Sequence, residues 1–138
     1  MERMKAILFA VALAGCAGPV CPAMPCSSTL TVNARFTSAI EPGAYQVTIS
    51  DAEGTRVTCD VDTSASTTAT CSEQGATFRV INDTFRITVP SGPRTVHVEV
   101  TTDSRVIGST DDSPSYSPVD EECSPSCETA TVDFDVSP

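Results

Sequence analysis

The sequence predicts an all-β chain, folded as a disulfide-stapled antiparallel β-sandwich of about seven or eight strands. Three observations point there. The composition holds nineteen Thr, sixteen Ser and fifteen Val in 138 residues, with no Trp and two Tyr. Val and Thr suit a pleated, half-buried surface, whereas strong helix formers are scarce. Apolar residues recur at every second position in short runs, and turn residues separate the runs at the spacing of a sandwich rather than of a helix.

The first 28 residues stand apart from this pattern. Met1 to Cys16 is a basic head (Arg3, Lys5), an apolar run from Ala6 to Ala14, then Gly15 and Cys16, the tripartite order of a secretory signal. The run is too short to span a bilayer, which takes about 20 apolar residues. Leu13-Ala14-Gly15-Cys16 resembles the lipobox of bacterial lipoproteins at every position. That resemblance implies a signal peptide over 1–15 and a lipid-carrying Cys16 as membrane anchor. Ala17 is not the Asp that retains lipoproteins at the inner membrane in enteric-type bacteria, so the same resemblance implies the outer membrane. The alternative is an ordinary secretory signal cut after Ala14. Residues 16–28 have the Ala, Gly, Pro, Cys and Ser composition of a tether, which leaves 29–138 as one domain.

Within that domain the alternation names its own core. Leu30, Val32, Ala34 and Phe36 share one face of a first strand; Tyr45, Val47 and Ile49 follow, then Val57, Cys59 and Val61. Ala69 and Cys71 form a short partner, succeeded by Phe78 and Val80, by Phe85, Ile87 and Val89, and by Val96, Val98 and Val100. Ala130, Val132, Phe134 and Val136 close the chain. Glu41-Pro42-Gly43, Asp51 to Gly54, Asn82-Asp83 and Ser91-Gly92-Pro93 supply the turns. The stretch Pro42-Gly43-Ala44-Tyr45-Gln46-Val47, followed by a hairpin at Gly54, resembles the opening strand of carboxypeptidase-regulatory-like and transthyretin-like modules. It covers about a fifth of the domain and implies an Ig-like or transthyretin-like version of the sandwich. Residues 103–128 break the alternation with a run of Ser, Pro and acids around Val106-Ile107, and read as a long acidic loop, where function is first sought.

With Cys16 used for lipid, six cysteines remain, and an even number in an exported chain reads as three disulfides. Cys59 and Cys71 sit in strand-like stretches joined by a polar connection, so a hairpin would set them opposite each other. Cys21 with Cys26 and Cys123 with Cys127 are expected to close locally, the alternative being bridges between the two pairs. Neither spacing suits a zinc knuckle, and an oxidising compartment consumes thiols.

Formal net charge is −10, and after Cys16 six Arg face seventeen acids, a net of −11. Such a surface repels phosphate backbones, so nucleic acid is not an expected partner. The one histidine, His97, falls on the outward face of a strand; there is no Gly-x-Ser-x-Gly elbow, no second His for a blue-copper site and no phosphate-cradling glycine loop. No catalytic residue is assigned. Tyr116, between Pro114 and Pro118, is expected either to pack down as a lid or to face a partner. Asp111, Asp112, Asp120, Glu121 and Glu122 are the oxygen donors available to a calcium ion. The expected function is therefore a non-enzymatic, membrane-anchored envelope lipoprotein acting as a structural or protein-interaction module without a cofactor. The alternative is a calcium- or small-ligand-binding accessory domain using residues 103–128.

Overall fold

The structure, a computed structural model, describes residues 28–54, 56–90, 92–120 and 124–138. Ten strands follow one another: β1 (Thr29–Phe36), β2 (Ala44–Asp51), β3 (Arg56–Asp62), β4 (Thr68–Cys71), β5 (Thr77–Ile81), β6 (Thr84–Val89), β7 (Val96–Thr102), β8 (Arg105–Asp112), β9 (Ser117–Asp120) and β10 (Ser124–Val136). They form two five-stranded sheets, ordered β5-β6-β1-β10-β9 and β4-β3-β2-β7-β8. Every neighbouring pair is antiparallel except β1 and β10, which run parallel from Thr29 opposite Thr129 to Phe36 opposite Val136. Among the described residues no helix is long and apolar enough to cross a membrane.

The alternating residues of β1, β2, β3, β6, β7 and β10 all turn inward and are buried between the sheets, and no polar side chain among the described residues is buried with them. Phe85 is fully buried at the centre of an aromatic group, with Phe36, Tyr45 and Phe78 packed edge-on at centroid distances of 4.7, 5.5 and 5.1 Å. Edge-on packing places the positive ring edge against the negative face of its neighbour. The Tyr45 hydroxyl donates to the Glu41 carbonyl at 2.6 Å, a tyrosine corner that satisfies the one polar atom this residue carries inward. Cys59 and Cys71 are direct cross-strand partners and are disulfide-bonded, as the hairpin spacing predicts.

The expected loop over 103–128 is corrected, and with it the strand count. Residues 105–112 are β8, 117–120 are β9, and β10 begins at Ser124. Both β8 and β9 lie at sheet edges. An edge strand is held by backbone hydrogen bonds along one side and needs no regular apolar face; in β8 only Ile107 is buried, so no alternation marks it. Pro118 is tolerated because an edge strand has one side free of the ladder. Asp103 and Ser104, with φ of 50° and 61°, form the two-residue turn that returns β7 into β8. Positive φ at both central positions matches the right-handed twist of the flanking strands.

The β7–β8 register shifts between Val100 and Thr101, and next to that irregularity β8 packs against the end of β10. A Cβ on Gly108 would lie 2.9 Å from Val136 Cγ2 and 3.2 Å from the Asp135 carbonyl oxygen. Ser137 N–H donates to the Ile107 carbonyl at 2.9 Å, joining the two sheets on this side. Gly108→Ala is expected to destabilise the fold by about 1–3 kcal/mol, because the neighbour it crowds is backbone as well as side chain. A Cys59→Ala/Cys71→Ala double variant is expected to lose about 3 kcal/mol through the loop-closure entropy the bridge removes from the unfolded chain. Urea midpoints of the two variants check both figures.

Candidate functional site

Three surface regions carry the residues suited to chemistry or contact. The first follows from strand register. Antiparallel pairing sets Ser50 of β2 opposite His97 of β7, and His97 opposite Asp111 of β8, so a serine, a histidine and an aspartate stand in one row across three strands. The row borders a depression of about 420 Å³ that Asp51, Thr95 and Asp112 also line. His97 Nδ1 lies 2.7 Å from Asp111 Oδ1, and its Nε2 lies 3.7 Å from Glu99 Oε2. The Ser50 hydroxyl donates instead to the His97 backbone carbonyl at 3.5 Å. Each ring nitrogen thus faces a carboxylate, and the serine proton is directed to a peptide oxygen, so base and hydroxyl are not joined as nucleophilic catalysis requires. Pairing of this kind at an exposed Asp111 adds little stability.

The same register bears on the acids put forward for calcium. Asp111 and Asp112 close β8 and both border the depression beside His97. Asp111 takes His97 as its neighbour; Asp112 is opposite Val96. The side chains of Asp120, Glu121 and Glu122 lie outside the described residues. Among the described residues, no three His, Cys, Asp or Glu side chains gather as metal ligands.

The second region is the Pro114–Pro118 segment. Pro114 is buried, Tyr116 is half-buried and Pro118 is exposed. The Tyr116 hydroxyl donates to the Pro93 carbonyl at 2.8 Å, and Arg94 places its guanidinium 5.8 Å from the ring centroid. Gly92 lies beneath this ring, where a Cβ would approach Tyr116 to 3.6 Å and the Ser28 Cβ to 3.2 Å. Of the two roles expected of Tyr116, its geometry is that of the packed lid. The ring and Ser28, the residue before β1, both lie against Gly92. Burial pushes the Tyr116 phenol above its ordinary value of 10.0; Arg94 opposes that rise and Glu128 adds to it. Cys127 nearby is buried and disulfide-bonded. Cys16, Cys21, Cys26 and Cys123 lie outside the described residues, and so does the local closure expected of the two outer pairs.

The third region is the side of the sandwich away from Gly108, where edge strands β4 and β5 face each other. They enclose a depression of about 390 Å³ lined by Ala69, Cys71, Ala76, Phe78 and Val80 beside Thr67 and Arg79. Phe78 and Val80 are only partly buried although they point inward. Alternation in the sequence identifies both as core residues. It carries no sign that no further strand covers them, because coverage is set by which strands end up as neighbours.

The chain matches no protein-family model, no curated protein and no solved structure.

Tyr116→Phe removes one hydrogen bond to a carbonyl and is expected to lower stability by about 0.5–1.5 kcal/mol at pH 7. A phenol raised on folding contributes stability that is complete below its unfolded value, and that contribution is lost as pH rises through the folded value. The wild type should therefore lose stability above pH about 10, and Tyr116→Phe should lose less. Tyr45, raised chiefly by its own burial, accounts for the loss that remains. Urea midpoints at pH 7 and at alkaline pH check both statements.

Proposed function

We propose that the protein is a lipid-anchored module of the bacterial cell envelope, placed at the outer membrane, that works by binding another envelope protein rather than by catalysis. Leu13-Ala14-Gly15-Cys16 behind a basic head and an apolar run supports the anchor. The Cys59–Cys71 disulfide agrees with an oxidising compartment.

One observation carries the contact role: the two sides of the sandwich are unequal. At one side β8 and β10 meet through Gly108 and the Ser137–Ile107 hydrogen bond. At the other, β4 and β5 leave Phe78 and Val80 partly uncovered beside two strand edges. Exposed edges are templates for an added strand, and natural sheets usually cover or blunt them. An extended segment of a partner can pair with such an edge through its backbone while its side chains enter the depression beside Phe78 and Val80. Tyr116 gives way to β4 and β5 as the contact surface in this reading, because its ring is already committed to Pro93 and Gly92. The calcium alternative draws less support from Asp111, whose carboxylate already faces His97.

Two measurements test the proposal. Cys16→Ala should move the protein from the membrane to the soluble fraction, and a variant still wholly in membranes would overturn the anchor. The chain has no lysine after Lys5, so amine crosslinkers have no side chain to use in the domain and a photo-crosslinking residue is needed. One placed at Thr70 on β4 should give a single dominant adduct in the native envelope that the same probe at Val106 on β8 does not give. Equal labelling from both positions, or none from Thr70, would count against the β4/β5 edge.

A further inference from the structure

The outward face of the first sheet carries an arrangement that neither anchoring nor edge contact uses. Arg79 of β5 and Arg86 of β6 are direct cross-strand partners. Two residues along each strand, on the same face, Thr77 is opposite Thr88, and Thr88 is opposite Thr31 of β1. These five side chains line one depression of about 370 Å³. The chain has six Arg after Cys16 against seventeen acids, yet two of the six are set directly against each other. Like charges in that position are destabilising.

Neither guanidinium is neutralised by an acid: the ion pairs among the described residues belong to Arg35 and to His97. Arg86 is instead oriented. Its Nε donates to Asn33 Oδ1 at 2.9 Å, and Asn33 Nδ2 in turn donates to Asp133 Oδ1 at 2.8 Å. Asn33 stands between the arginine and the aspartate as a neutral spacer, so the carboxylate aims Arg86 without contacting it. The terminal nitrogens of Arg86, the whole fork of Arg79 and the hydroxyls of Thr31, Thr77 and Thr88 make no hydrogen bond to any described residue.

We propose that this face is a binding site for a doubly charged tetrahedral oxyanion, phosphate or sulfate, carried on a small soluble molecule. Two forks favour a dianion over a carboxylate, which a single guanidinium already satisfies bidentately. Three hydroxyl donors are suited to the remaining oxygens. The depression is larger than the oxyanion alone requires, leaving room for a neutral part of the ligand. The net charge of the chain decides the source. Long-range repulsion opposes the approach of an extended anionic membrane surface, whereas a small anion meets mainly the local field within a Debye length of the two arginines, about 10 Å at 0.1 M salt. No glycine loop or helix end is involved; the donors are side chains fixed by strand register.

Thermal denaturation of the purified protein at pH 8, in sodium phosphate or sodium sulfate against sodium chloride of matched ionic strength, tests this. The expected result is a saturable rise of the midpoint with the dianions and none with chloride, as linkage requires of a ligand that binds only the folded state. Arg79→Gln and Arg86→Gln should each weaken the response about tenfold or more, since a hydrogen bond to a charged group contributes at least that factor. Arg79→Lys, which keeps the charge and loses the fork, should weaken it less. Arg35→Gln, on the same face but paired with Asp135, should leave it unchanged. A rise equal in chloride, or one that survives both Gln variants, overturns the site. Binding of the Cys16→Ala protein to phosphatidic-acid vesicles that depends on Arg79, without a response to free phosphate or sulfate, overturns the assignment to a soluble ligand.

Discussion

The parallel pairing of β1 with β10 is the contact on which the rest of this fold depends. It joins the two ends of the domain, Thr29 to Thr129 and Phe36 to Val136, in unbroken register at the centre of one sheet. It brings together partners 100 residues apart in the chain. Closing loops of that length costs entropy, and contacts of such range are associated with slow folding of β-proteins. Once formed, the pair positions much else. Its outer face carries the Asn33–Asp133 and Arg35–Asp135 contacts, and its end receives β8 at Gly108. Thr37 N–H continues the ladder to the Val136 carbonyl.

From this centre the molecule is asymmetric in two directions. Across the sandwich, one side is closed by backbone proximity at Gly108 and the other is left open between β4 and β5. Around it, a chain of strong net negative charge sets two arginines against each other on the face of β5 and β6. Both features arise in the same way. A strand edge has backbone groups outside its own ladder, and an outward row has side chains outside the core, so both are placed to meet something else. The lid formed by Tyr116 is the contrary case, a residue that looks available in the sequence and is spent on holding three segments of chain together.

Much of the fold is legible in the order of residues along the chain. The inward positions of β1, β2, β3, β6, β7 and β10 can all be read from alternation, because burying one face of a strand imposes a period of two on the residues themselves. The Cys59–Cys71 bridge is readable for a related reason: the hairpin that joins its strands is local. What escapes such a reading are the edge strands β8 and β9, held by backbone groups that every residue possesses, and the rows that run across strands. His97 meets Asp111, and Arg79 meets Arg86, through register alone.

The sequence by itself therefore determined the class of fold, its core, its one described disulfide hairpin and its acidic character, since each follows from residue types at short spacing. Tertiary structure alone decided that 105–112 is a strand, that Tyr116 is a lid, which sheet edges stay open and which charges face each other. Those outcomes depend on pairing between segments far apart in the chain. Backbone hydrogen bonding sets that pairing, and it leaves no mark in the side chains of either strand taken separately.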